Sequence, residues 1–136
     1  VAAFSADFKL LSEMIGLIRL GRPDDLPILR EIERAAGERF RDFGLDQVAD
    51  DEPASIETLR SCADAERLWV VAGEDDVAVG YILVDVVDGA AHIEQVSVVP
   101  DCQGKGFGRA LIDRVRRWAV DEGRSSLTLT TFDYIP

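Results

Sequence analysis

Gln103-Gly104-Lys105-Gly106-Phe107-Gly108 is the segment of this chain whose residue types and spacing speak most directly of chemistry. Closely spaced glycines let a backbone turn sharply and aim several N–H groups at one point, because glycine adopts positive φ without steric strain. A β-branched run, Ala91 to Val99, precedes the segment, and an amphipathic pattern carrying Leu111, Ile112, Val115, Trp118 and Ala119 follows it. A strand therefore feeds the loop and a helix N-terminus leaves it, where unpaired amides and the helix dipole together favour an anion such as phosphate. No Gly-Lys-Ser or Gly-Lys-Thr follows, so this is no Walker loop, and glycines at 104, 106 and 108 give G-x-G-x-G rather than the dinucleotide G-x-G-x-x-G. Two readings remain: a phosphate cradle of another kind, and a tight turn shaped by its glycines.

The elements that must position this loop are legible as changes of period. Gly16 to Leu20 is short and β-rich and stops at Arg22-Pro23-Asp24-Asp25, where Asp24 or Asp25 can cap a helix that tolerates Pro27 in its first turn. Ile28, Leu29, Ile32, Ala35, Ala36 and Phe40 recur at helical spacing to about Arg41. Gly44 to Pro53 is acidic and aperiodic, a loop, and Ser55 offers a cap to a second helix bearing Ile56, Leu59 and Cys62 and ending near Ala65. Leu68 to Ala72, Val77 to Val87 and Ala91 to Val99 read as a three-stranded meander punctuated by Gly73-Glu74-Asp75-Asp76 and Asp88-Gly89. After the third helix closes at Gly123, Ser126 to Phe132 forms another strand. The order β-α-α-β-β-β-α-β predicts an α/β sandwich.

Composition narrows the function. The chain has 136 residues, 47% of them hydrophobic and 30% charged, which is ordinary for one folded domain with a core of its own. A net charge of −11 repels phosphate backbones and anionic lipid, so neither nucleic acid nor membrane is expected as a partner, whereas an amine-bearing one suits. Cys62 and Cys102 are the only thiols and carry no C-x-x-C spacing, so no disulfide framework and no metal site is expected, and a reducing cytoplasm is the expected compartment. Residues 1–15 read as an N-terminal extension, upstream of Met14 or foreign to the domain, leaving 16–136 as the functional unit.

Val96-Ser97-Val98-Val99-Pro100-Asp101-Cys102-Gln103-Gly104-Lys105-Gly106-Phe107-Gly108-Arg109-Ala110-Leu111 resembles the acetyl-CoA-binding segment of GCN5-related N-acetyltransferases, whose loop reads Gln or Arg, x, x, Gly, x, Gly or Ala. The element order extends the resemblance over residues 16 to 136. It implies the acyl-CoA N-acyltransferase fold: a mixed, mainly antiparallel central sheet with helices on both faces. It also implies a C-terminal helix and two strands beyond the fifth, so the chain reads as truncated there, with a sheet edge that favours a homodimer. By the resemblance, the amides of Gly104, Lys105, Gly106, Phe107, Gly108 and Arg109, after Gln103, hold the pyrophosphate of coenzyme A. The backbone of Val96, Ser97 and Val98 pairs with its pantetheine arm. Lys105 adds positive charge beside the phosphates or is a solvated loop lysine.

The implied reaction is direct acetyl transfer from acetyl-CoA to a primary amine, on a small molecule or a protein, within a ternary complex. The amine must first lose a proton to a base or water chain. Period-2 alternation puts His92, Glu94, Val96 and Val98 on one face of their strand, and Ile93, Gln95, Ser97 and Val99 on the other. Glu94 and His92 are the candidate bases: family members carry a His pair or a Glu at these positions, and imidazole ordinarily exchanges protons near neutrality. A backbone N–H near Val98 is the candidate oxyanion donor. The proton donor to the thiolate is implied to be a tyrosine in the later helix, for which Tyr134 comes too early. Cys102 lacks a paired base, Trp69, Trp118, Phe40 and Tyr81 fall on core faces, and Asp46, Asp50, Asp51 and Glu52 either steer a cationic amine or form a solvated loop. The alternative function is a catalytically silent acyl-CoA sensor or interaction module.

Overall fold

The structure, a computed structural model, describes residues 17–44, 52–73 and 75–129. Five strands lie side by side in chain order: β1 (Ile18–Leu20), β2 (Leu68–Ala72), β3 (Ala78–Val87), β4 (Ala90–Val98) and β5 (Leu127–Leu129). The first four pair antiparallel and β5 joins β4 in parallel, giving the mixed, mainly antiparallel sheet of the expected α/β fold. Two helices, α1 (Leu26–Gly37) and α2 (Ile56–Asp64), cover one face, and α3 (Phe107–Asp121) covers the other. Each face has its own core, Leu26, Leu29, Ile32, Leu59, Leu68 and Tyr81 on the first and Trp69, Val71, Ile82, Ile93, Leu111 and Val115 on the second.

Local signals set most boundaries. Ser55 Oγ accepts the Thr58 N–H at 3.1 Å and opens α2 as its cap. Asp88 and Gly89, at φ 53° and 81°, make the two-residue turn that fixes Val87 opposite Ala90. The start of α1 differs from expectation, for a 3₁₀ turn (Pro23–Asp25) comes first and Asp25 forms no side-chain cap. Its carboxylate instead takes Arg19 in two bonds, of 2.8 and 3.0 Å, and the Arg22 N–H at 2.7 Å. Burial alone would push the Asp25 carboxyl up, but Arg19 and the Arg22 N–H outweigh it and hold the pKa below the ordinary aspartate value. α1 stops at Gly37 and continues as a 3₁₀ segment (Glu38–Phe43), short of the α-helix expected to about Arg41. No helix among the described residues is long and apolar enough to cross a membrane.

The Gly16 start of the first strand, the ends of the last one toward Phe132, Asp46, Asp50, Asp51, Tyr134, residues 1–15 and the Phe40 side chain lie outside the described residues.

Candidate active site

The pairing of β3 with β4 does not keep a regular ladder. Leu83 faces Gln95 and Val84 faces Ile93, so Glu94 is an extra residue with no partner, a β-bulge. Directly opposed residues share a face, so Asp85 with His92, Leu83 with Gln95 and Tyr81 with Ser97 point to the α1/α2 side. Ile82 with Val96 and Gly80 with Val98 point to the α3 side. The expected alternation is therefore corrected: Val96 and Val98 do not share a face with His92, because the bulge resets the period. Glu94 is exposed, and its charge is felt by the Cys62 thiol on α2, so the carboxylate lies within electrostatic reach of the helix on the side that His92 faces. Burial pushes that thiol up first, Arg67 pulls it down, and Asp85 and Glu94 push it further up.

The same strand leaves part of one edge open. Among the described residues β5 pairs only with Ala91, His92 and Ile93. The Val99 N–H donates to Val79 O at 2.9 Å, so residues 97 and 99 turn their backbone polar groups toward β3. Alternation then turns those of Val96 and Val98 to the other side, the open one. The Val98 carbonyl accepts Gln103 Nε2 at 3.0 Å, which ties the glycine loop to the strand end. Of the three residues expected to offer backbone to a pantetheine arm, Val96 and Val98 face the open edge, and Ser97 spends its backbone on Tyr81. Gln103 holds the loop rather than presenting its amide to the open space.

Past a 3₁₀ turn (Pro100–Cys102), Gly104 and Gly106 take φ 77° and 89°, which a side chain would strain. Gly106 is the N-cap of α3 and supplies no side-chain cap. The first intrahelical bond runs from the Ala110 N–H to Gly106 O, at 3.0 Å, so the amides of Phe107, Gly108 and Arg109 lack intrahelical partners at the positive end of the helix dipole. A Cβ built on Gly104 or Gly108 would meet nothing within 4 Å, so open space lies beside this loop and helix start, the cradle in which a ligand could meet these amides. The Phe107 ring packs into the α3-side core and anchors the helix start, while Lys105 and Arg109 are exposed beside the cradle. A diphosphate needs converging amides, local positive charge and room, and this arrangement fits it.

A polar strip runs along the α1/α2 side of β3 and β4. Tyr81, fully buried, donates its hydroxyl to Glu33 of α1, and both its burial and that carboxylate raise the phenol's pKa. Gln95 Nε2 donates to Ser97 Oγ at 2.6 Å, and His92 Nδ1 lies 2.6 Å from Thr128 Oγ1 on β5. Glu94 accepts no hydrogen bond among the described residues, so of the two candidate bases it is the one without a fixed partner. Neither Glu33 nor Thr128 was singled out in the sequence. Glu33 carried a signal: it stands four residues after Leu29 and seven after Leu26, a charge within the apolar stripe. Trp69 and Tyr81 are core residues as expected, Trp69 and Trp118 meet edge-on with centroids 5.5 Å apart, and Cys102 is a half-buried free thiol.

The family model described as Acetyltransferase (GNAT) family matches residues 26–134. The chain belongs to this family. Among solved structures, its fold is similar to that of Rv2747 from Mycobacterium tuberculosis, in complex with CoA and NLQ, at 23% identity and TM-score 0.68, covering 85% of this chain and 64% of that one. The ribosomal-protein-S18-alanine N-acetyltransferase of Escherichia coli matches at 24% identity and TM-score 0.64, over 86% of this chain and 67% of that one. The PaiA N-acetyltransferase of Thermoplasma acidophilum, in complex with coenzyme A, matches at 16% identity and TM-score 0.67, over 86% and 79%. This GNAT chain thus spans just under two-thirds of the length of the mycobacterial protein.

Proposed function

We propose that this GNAT protein is an N-acetyltransferase that binds acetyl-CoA and transfers its acetyl group directly to a primary amine in a ternary complex. One observation carries the reading: a strand edge at Val96 and Val98, unpaired among the described residues, runs into a glycine loop where the Phe107, Gly108 and Arg109 amides lack intrahelical partners. A strand edge suits an amide-bearing arm, and the cradle suits a diphosphate. The cofactor supplies an acetyl thioester as the electrophile.

The chain's own groups supply the rest. Val98 N–H, on the open edge, is placed to donate to the oxygen that gains charge as the carbonyl is attacked. Glu94, lifted out of the ladder by its bulge and without a hydrogen-bond or ion-pair partner among the described residues, takes the amine's proton directly or through one water. His92, held by Thr128, orients that water and serves as the second acceptor. The acceptor is a small-molecule or protein amine approaching from the α1/α2 side, where these groups stand, and the chain's net charge of −11 favours a cationic one.

The test is thiol release from acetyl-CoA in the presence of a panel of amines, with Glu94→Gln alongside. Turnover with at least one amine is expected. Glu94→Gln should lower kcat by about 100-fold, within the usual range for general-base catalysis, and leave the Kd for acetyl-CoA unchanged. Tight acetyl-CoA binding with no turnover across the panel would instead favour a silent acyl-CoA sensor.

A further inference from the structure

The stripe by which α1 packs on the sheet carries Leu26, Leu29 and Ile32, all buried, and then Glu33. Desolvating a carboxylate there is costly unless something compensates it. α1 lies across both β3 and β4, and Tyr81 of β3 reaches up from the sheet to donate its hydroxyl to Glu33 Oε1. Burial and the carboxylate both raise the phenol's pKa, so Tyr81 keeps its proton and remains the donor. Glu33 is thereby held in one place, half-buried, with Oε2 accepting no hydrogen bond among the described residues.

Cations are at hand on α1 and go elsewhere. Arg30 and Arg34 stand three residues before Glu33 and one after it, yet both reach Glu52, at 3.5 and 3.4 Å, and Arg30 Nε also donates to Ala54 O at 3.1 Å. Glu33 makes no ion pair among the described residues. Water alone can satisfy an exposed carboxylate, whereas one half-buried and fixed against a buried tyrosine gains most from a cation of its own.

The sheet sets the place of this carboxylate relative to the proposed transfer site. Tyr81 stands opposite Ser97, on the side that His92 faces, and Gln95 Nε2 donates to Ser97 Oγ at 2.6 Å on that same side. Ser97 comes three residues after Glu94, which is about 10 Å along a strand. With one ammonium at each carboxylate, on charge-assisted hydrogen bonds of about 2.8 Å, a gap of roughly 5 Å is left between the two nitrogens, the span of a chain of three or four carbons.

We propose that Glu33 is a specificity-determining residue that holds the second ammonium group of a short diamine whose first amine stands at Glu94. Tyr81 is the positioning residue that fixes the Glu33 carboxylate. The amine at Glu94 has its role from the acetyl-transfer reading, on which the proposal rests, while the ammonium at Glu33 keeps its proton and its charge.

1,4-Diaminobutane and 1-aminopentane have equal numbers of heavy atoms and differ by an ammonium in place of a methyl group, so the ratio between them isolates the second charge. Calorimetric titration of each into the full chain with coenzyme A present gives affinities without turnover, and thiol release from acetyl-CoA gives kcat/KM. The diamine should be favoured at least about tenfold in both, the scale of one charged hydrogen bond. Glu33→Gln keeps an oxygen for the Tyr81 hydroxyl and removes only the charge, and it should bring both ratios close to one. A role confined to packing would weaken both amines together and leave the ratios as they were. No binding of the diamine, equal binding of the two amines by the wild type, or an undiminished ratio in Glu33→Gln would overturn the proposal. Thiol release without a diamine preference would remove the Glu33 assignment and keep acetyl transfer. A Glu33-dependent preference in the titrations without thiol release would keep the diamine site and remove acetyl transfer.

Discussion

Replacing Gly108 by alanine separates the two things that glycine can do in this loop. Gly108 is the second residue of α3 and, unlike Gly104 and Gly106, does not take a positive φ. A Cβ there meets no atom within 4 Å, so the methyl group is tolerated by the fold. Glycine is about 1 kcal/mol less favourable than alanine within a helix, so Gly108→Ala should gain up to about 1 kcal/mol, a rise in Tm of roughly 3–5 °C for a chain of this size. On the proposed reading, the same methyl group occupies space beside the helix amides that the diphosphate needs. Losing one charge-assisted hydrogen bond to a phosphate oxygen costs about 1.5–3 kcal/mol, or roughly 10- to 100-fold in affinity. Thermal unfolding by circular dichroism and calorimetric titration with coenzyme A read the two effects on one sample. A raised Tm with weakened coenzyme A binding is the expected pair of results. A raised Tm with unchanged affinity would refute the phosphate cradle, because the space would then be empty of ligand. Gly106→Ala is the less informative variant, since φ 89° makes it strained whether or not anything binds.

Asp25→Asn should lose on the order of 2 kcal/mol at neutral pH, since it removes the charge that Arg19 grips in a largely buried pair, and denaturant titration reads the loss. The folded carboxyl is held below the ordinary 3.8, so its stabilisation is full above that pH and is lost as pH falls through the folded pKa; the wild type and the variant should converge in acid. Gly80→Ala should destabilise by about 1–3 kcal/mol, for its Cβ would stand 3.0 Å from Ser97 O and from Val71 Cγ1 and 3.1 Å from Val98 Cγ2; an unchanged urea midpoint would contradict that packing.

The parts of the fold that were legible in the sequence are those set by short-range signals. Ser55 capped its helix, Asp88-Gly89 set a hairpin and Gly123 closed α3, because each acts on residues within a turn of itself. The glycine loop was legible for the same reason. The bulge at Glu94 was not, because strict alternation assumes an unbroken ladder, whereas here the Asp88-Gly89 turn fixes the register at one end and the strand absorbs an extra residue further along. That single residue decides which side His92, Val96 and Val98 face. Long-range partners were equally hidden: Arg19 takes Asp25 from its capping position, Glu33 reaches Tyr81 48 residues away, and Thr128 meets His92 only after the chain has crossed through α3. Such pairs depend on how layers pack, which no local window contains.

On the proposed reading, the open edge of β4 and the start of α3 together hold acetyl-CoA. Backbone amide NMR of the isotope-labelled protein, titrated with acetyl-CoA, tests it residue by residue. Saturation at one equivalent per chain is expected, with the largest shifts at Val96, Val98 and Gly104 through Arg109 and little change at Glu66 or Arg124. Amide signals of the loop and of β4 that stay fixed through the titration would contradict it.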